Sequence, residues 1–342
     1  MKKWGLVLMM AALMLIIAAC GDEDGKSKDG AKASSNGEEY VIKAGHAASE
    51  DHFAQDSFEK FKELVEENSG GSIKVEIYPN GQLGGEREMI EAIQLGNLTM
   101  AAPSSAPLTA FSEGMYLWDI PFLFNSTEIA HEVLDGEIGQ EVLDSLSEVG
   151  IKGLAYWENG FRHLMNSKHP VETMADMNGI KMRTLESQQQ IKAWNATGAS
   201  SISIAFPELY TALQQGTVDG AEAPLALMYA MKYQDVQNHL TLSGHMYSPW
   251  PVIISQEFFD SLPENLQKVV EDAVIETRGY NRQLSAEDEE KSLQLLKEGG
   301  MVEVELSEEE KNEFKKAMEI VYPEISDLAG EDIFNRLMEA VK

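Results

Sequence analysis

The chain has 342 residues, with 57 acidic against 27 basic side chains and a net charge of −30 at pH 7. That balance excludes nucleic acid as a partner, because phosphate neutralisation needs clustered lysine and arginine. It also opposes adhesion to an anionic membrane surface. A hydrophobic content of 43% and a charged content of 25% are ordinary for a globular protein, and the length is enough for two lobes.

Lys2 and Lys3 precede an apolar run from Leu6 to Ile17, which leads into Ala18-Ala19-Cys20. A basic start, an apolar run and small residues before a cut site make a secretory signal peptide. The run is shorter than the ~20 residues a bilayer span needs. Cys20 is the only cysteine, so no structural disulfide is expected. Its position resembles the lipobox of bacterial lipoproteins, whose thiol receives a diacylglyceryl group and becomes the mature N-terminus. The resemblance implies removal of residues 1–19 and lipid anchoring on the extracytoplasmic face of the cell membrane. Residues 20–39 carry almost no apolar side chain and read as a flexible tether.

The folded part is expected to begin at Tyr40. Val41 to His46 reads as a strand entering a loop, and Phe53 to Asn68 has helical apolar spacing at Phe58, Phe61, Leu64 and Val65. Ile73 to Tyr78 alternates as a half-buried strand before the Pro79-Asn80-Gly81 turn. Glu86 to Leu95 is a predicted helix and Met100 to Ala102 a short buried strand. The alternation returns later. Strands are predicted at 179–183, 201–204 and 218–221, with helices at 188–198 and 208–215 between them. Two α/β blocks, each too small to be the whole protein, predict two lobes with a cleft between them. Pro263 opens a helical pattern from Leu266 to about Leu296, long enough to brace both lobes.

No nucleophile elbow, metalloprotease helix, phosphate loop or cysteine pair is present in the sequence. The seven histidines are scattered; neither His46 with His52 nor His163 with His169 has a third ligand at metal spacing. No metal or other cofactor is expected. The informative side chains are arginines. Arg183 ends an alternating strand, where an α/β lobe presents side chains to its ligand crevice. A guanidinium there can grip a carboxylate through two parallel charge-assisted bonds, or pair with one of the many acids. Arg162, in Asn159-Gly160-Phe161-Arg162, stands in a similar context.

From Tyr40 to about Tyr322 the chain resembles the extracytoplasmic solute-binding proteins of tripartite ATP-independent periplasmic (TRAP) transporters, the DctP family. The resemblance is carried by Ser69-Gly70-Gly71 and Gln82 through Arg87; by Asp119-Ile120-Pro121-Phe122-Leu123-Phe124; and by Gly160-Phe161-Arg162 with Asn166-Ser167-Lys168. Ala205 through Gln214 with Val218-Asp219-Gly220 completes it. Their order and spacing are specific.

The resemblance implies an α/β, two-lobed, periplasmic-binding-protein-like fold with crossing strands and one long helix bracing both lobes. It implies lobe I at 40–160 plus about 249–288, and lobe II at 161–248 plus about 289–342. It implies no enzyme. The expected partners are a small organic acid, captured by lobe closure, and the membrane permease subunits that receive it. Arg183 corresponds to the family's carboxylate clamp and Arg162 to a second arginine, and Phe206 to an aromatic that packs on the ligand. Glu86, Ser104 and His245 match positions that touch the far end of the ligand in some members, and His46 and Glu222 join the candidate set.

Two departures bear on specificity. Arg183-Thr184-Leu185 replaces the frequent Arg-Val-Pro. Ala221-Glu222-Ala223-Pro224 replaces Gln-Glu-Asn-Pro, so Asn159 or a water is expected to supply the missing asparagine's hydrogen bond. Trp118, Tyr156, Trp157, Phe161, Trp194, Phe206, Tyr247 and Trp250 lie in segments expected to face the cleft, where rings pack on sugar CH groups. Together with Glu86, Asn159 and Gln189 as hydroxyl partners, they favour a sugar acid such as D-glucuronate or D-galacturonate. The alternatives are a C4-dicarboxylate ligand, or a module that presents its ligand to a sensor kinase.

Overall fold

The computed structural model describes residues 39–342. The expected signal peptide, the lipidated Cys20 and the tether up to residue 38 lie outside the described residues. No helix among the described residues is long and apolar enough to cross a membrane.

Among the described residues nine strands form one sheet: β1 Tyr40–Gly45, β2 Ile73–Tyr78, β3 Met100–Ala101, β4 Ile151–Asn166, β5 Lys181–Thr184, β6 Ser200–Ser203, β7 Gly220–Ala223, β8 His239–Ser255 and β9 Val302–Glu305. Their order is β2-β1-β3-β8-β4-β7-β5-β6, with β9 also on β8. Two parallel groups stand out. β2, β1 and β3 run parallel, as do β7, β5 and β6. The long antiparallel pair of β4 and β8 ties one group to the other.

Short helices connect the parallel strands, as the alternating pattern predicts. Phe53–Asn68 is a helix whose first turn is capped by the His52 Nδ1, which accepts from Ala54 N–H at 3.1 Å. Gln188–Ala196 is capped by Ser187 and ends two residues short of the expected Gly198. The predicted helix at 208–215 is a 3-10 turn over Phe206–Glu208 followed by Leu209–Gln214, because Pro207 cannot donate within a helix.

Neighbouring residues alternate between two hydrophobic cores. Trp157, Met165 and Ile254 lie in one; Tyr156, Leu164 and Ile253 lie in the other. The cores therefore occupy opposite faces of the sheet. The long helix, Glu264–Glu298, has 35 residues and spans about 52 Å. It packs Leu266, Val270, Ala273 and Val274 into the first core. Further along it buries Thr277, Asn281 and Ser285. There the Asn281 Oδ1 accepts the Glu158 backbone N–H at 2.6 Å and clips the helix to β4.

β4 shifts register against β8 between Glu158 and Gly160 and again between Arg162 and Leu164. Gly160 takes φ +109°, which side-chain-bearing residues rarely adopt. These bulges re-aim the strand at the residue that matters for the site, Arg162.

Candidate functional site: a cationic cleft between opposed strand ends

The pocket forms where the C-terminal ends of the two parallel groups meet. His46 follows β1 and Ser104 follows β3. Arg183 lies in β5, Phe206 follows β6 and Leu227 follows β7. Arg162 and Trp250 come from the β4/β8 pair. Ligand crevices of α/β sheets lie outside such strand ends. The lining residues surround about 380 Å³ of non-atom space, open solvent included.

Arg183 is 2% exposed. Its Nε donates to the Ile204 carbonyl at 2.9 Å, which fixes the plane of the guanidinium. Among the described residues no carboxylate lies within 4.0 Å of it. Burial pushes it below its ordinary value, while Tyr233 and Glu222 act the other way. An arginine in water stays charged over the whole physiological range. The pocket thus contains a buried cation whose terminal nitrogens lack a protein counter-ion.

Arg162 is different. Its Nη2 donates to the Glu222 Oε1 at 3.0 Å and to the Glu222 carbonyl at 2.7 Å, and its Nε contacts Oε2. Its remaining Nη1 reaches the Ser248 Oγ at 3.4 Å. His245 stands behind this pair, with Nε2 3.4 Å from Glu222 and Nδ1 2.8 Å from the Ser243 Oγ. Burial alone would raise the Glu222 carboxyl; Arg162 and His245 overcome it and hold it at about 2. Burial lowers His245, while Glu222 acts the other way. Glu222 and His245 do not line the cleft. They lie behind Arg162 and orient it.

Acceptors share the lining with Arg183. Glu86 opens the helix Glu86–Gln94, and its Oε1 accepts from the Ser104 N–H at 2.7 Å and the Ser104 hydroxyl at 2.9 Å. That leaves Oε2 without a protein partner. His46 engages the Gln55 Oε1 through Nε2 at 3.0 Å, and its Nδ1 has no partner. Burial lowers its proton affinity, while Gln55 and the Ala48 backbone act the other way. Asn159 is buried off the lining; its Nδ2 reaches the Ser248 Oγ at 3.4 Å and its Oδ1 is unpartnered.

Of the nine sequence candidates the cleft brings together six: Arg183, Arg162, Phe206, Glu86, Ser104 and His46. Most of the aromatic residues expected at the cleft are elsewhere. Trp118, Tyr156, Trp194 and Tyr247 fill one core and Trp157 the other; Phe161 faces a separate groove with Glu158 and Arg282. Only Phe206 and Trp250 reach the lining. Gln189 is buried outside it. The correction has a simple cause: large rings bury 150–250 Å² each and are the cheapest material for a sheet core. The residues not foreseen, Ala47, Ala48, Ala102, Leu185 and Leu227, are small or aliphatic walls. Their only sequence signal was position just after a strand.

A preformed anion grip flanked by acceptors, set between two opposed sheet halves, is the construction of a solute-binding protein. The family model described as "Bacterial extracellular solute-binding protein, family 7" (DctP) matches residues 44–327, and the chain belongs to that family. It is 37% identical over 295 residues to the C4-dicarboxylate-binding periplasmic protein DctP of Rhodobacter capsulatus, covering 86% of this chain and 88% of that protein. The crystal structure of the sugar acid binding protein DctPAm from Advenella mimigardefordensis, in complex with galactonate, matches with a TM-score of 0.87 and 32% identity. It covers 90% of this chain and 99% of that one. A TRAP periplasmic solute-binding protein from Polaromonas sp. JS666, bound to D-erythronate, matches with a TM-score of 0.85 and 37% identity, over 88% and 98% of the two chains. The fold is the two-lobed one of TRAP solute-binding proteins. The family consists of extracytoplasmic solute-binding transport proteins for small organic acids, not of enzymes.

Proposed function

We propose that this protein captures a polyhydroxy monocarboxylate, a sugar acid of the aldonate or hexuronate type, and hands it to a TRAP permease. The observation that carries the reading is the polarity of the cleft: one unpaired guanidinium at Arg183 and, on the same lining, the unshared Glu86 oxygen and the His46 ring. A carboxylate satisfies the first, and hydroxyl donors satisfy the others. A second carboxylate about 4 Å from Glu86 would be repelled by on the order of 4 kcal/mol at an effective dielectric of about 20. The galactonate and D-erythronate bound by the two solved relatives have this donor pattern.

Lobe closure over the ligand, between residues 40–160 with 249–288 and residues 161–248 with 289–342, belongs to the proposal. So does tethering to the membrane through a lipidated Cys20. The C4-dicarboxylate reading rests on the Rhodobacter relative and predicts the opposite ligand preference.

A thermal-shift panel separates the two. A micromolar ligand at millimolar concentration stabilises by roughly 4 kcal/mol. The expected result is a clear rise with galactonate, galacturonate or glucuronate and little with succinate, malate or neutral sugars. A response confined to dicarboxylates would replace the proposed ligand class. Glu86→Gln tests the polarity argument itself. It should weaken sugar-acid binding roughly ten- to a hundredfold, the worth of a hydrogen bond to a charged group, while improving succinate binding. Equal effects on both ligands would show that Glu86 does not discriminate between them.

A further inference from the structure

Asp119, in the segment that leads into Ile120-Pro121-Phe122, is 1% exposed and lies outside the cleft lining. Its Oδ1 accepts from the Gln190 Nε2 at 2.8 Å. Its Oδ2 and the Gln190 Oε1 are both buried without a hydrogen-bond partner. A carboxylate facing a primary amide makes one hydrogen bond and leaves two acceptor oxygens without donors. A carboxylic acid makes two, accepting the amide N–H on one oxygen and donating its own O–H to the amide oxygen. The two orphaned acceptors in this pair are what a single added proton would satisfy.

We propose that the Asp119–Gln190 pair is a proton-binding site coupled to ligand capture, taking up a proton from solvent as an acid enters the Arg183 cleft. This rests on the carboxylate reading of that cleft. The surroundings supply the coupling. Gln190 and Ser187 belong to the helix that follows β5, the strand of Arg183. Glu222 from β7 and Arg162 from β4 act on Asp119 through space, and His245 from β8 contacts Glu222. Burial pushes the Asp119 carboxyl up to about 6. The Ser187 hydroxyl and the Gln190 amide pull it down, Glu222 pushes it up and Arg162 pulls it down. A ligand carboxylate that draws on the positive charge of Arg162, which lines the same cleft as Arg183, removes part of what holds Asp119 ionised, so its proton affinity rises. By reciprocity the protonated form binds the acid more tightly.

The pH dependence has a definite sign. Below pH 6 the proton is already bound and capture is proton-neutral. Above pH 6 the unliganded carboxyl is ionised, capture takes up a proton, and affinity falls as pH rises until the liganded form also ionises. A one-unit rise on binding gives roughly fivefold weaker binding at pH 8 than at pH 6.

Two measurements test this. Infrared difference spectra of the unliganded protein between pH 5 and 8 should show a buried protonated-carboxyl band that titrates near pH 6 and is missing in Asp119→Asn. Its absence from the unsubstituted protein overturns the proton site whatever the ligand. Calorimetric titration with D-galactonate at pH 7, in buffers of different ionisation enthalpy, should show net proton uptake that Asp119→Asn abolishes, together with the pH dependence of affinity. The introduced amide can still pair with the Gln190 amide through two hydrogen bonds, so the variant keeps the contact and loses only the titration. Uptake of zero, or uptake that survives in Asp119→Asn, overturns the coupling. If galactonate and the other acids of the panel fail to bind while the infrared band is present, the ligand reading has failed, the coupling inferred from it falls too, and the proton site stands alone.

Discussion

Arg183→Met should abolish acid binding and leave the protein folded. In the unliganded state this guanidinium is buried and bonds through Nε to a carbonyl, with no carboxylate in reach. Its desolvation is therefore a standing cost to the fold. Replacing it with an apolar chain of similar length removes that cost, so the melting temperature should hold or rise. The ligand suffers the reverse. Its carboxylate would enter a buried site without a counter-charge, a loss of roughly 3–5 kcal/mol, or about two to four decades in affinity. Calorimetry and a melting curve on the same sample decide the matter. Micromolar binding retained by the variant removes Arg183 from the site, and a collapsed fold would mean that its role is structural.

Glu222→Ala should give the mirror image. Here the loss falls on stability, because Arg162 stays buried with its counter-ion gone. Breaking a buried pair from one side costs roughly 3–5 kcal/mol, on the order of 10 °C in melting temperature for a protein of this size. The pair also sets an acid limit. Glu222 is held at about 2 in the folded protein, below its ordinary value of about 4.3 when unfolded. An acid whose folded value is depressed contributes stability above its unfolded value, and that contribution drains away as pH falls through the folded one. The loss should run from about pH 4.5 down to pH 2. Glu222→Gln should be less stable at pH 7 and flatter over that acid range. Identical acid profiles for the two proteins would mean that Glu222 does not carry the effect.

The contrast between the two arginines explains how much of the site was legible in the sequence. Strand and helix positions were readable because each parallel group repeats a short apolar strand, a turn and an amphipathic helix. Phe53–Asn68 and Ile73–Tyr78 emerge with the expected ends. Arg183 was readable because it ends a strand. That Arg162 has an internal partner and Arg183 has none could not be read, since Glu222 is 60 residues from Arg162 and the pairing depends on β4 lying against β7. The rings misled for a related reason. Tyr156 and Trp157 are neighbours in sequence yet serve opposite faces of the sheet, and neither face is the cleft. Asp119 gave no signal of its own, since its character comes from burial against Gln190, 71 residues away.

The strand order also governs how the chain can be assembled. β3 is made early, yet its neighbour on one side is β8, completed only at residue 255. β5, β6 and β7 form their group before β8 exists, but they join the rest of the sheet through β4, whose other edge waits for the same late strand. Neither half can therefore close its sheet while the ribosome is still adding β8. Closing such distant pairs is slow, because chain entropy is lost before the contacts repay it. The β8-facing edges of β3 and β4 stay unpaired until then. A chain of this order has a long vulnerable interval, in which a holding chaperone has edges to protect and a truncation before residue 239 leaves both halves unfinished.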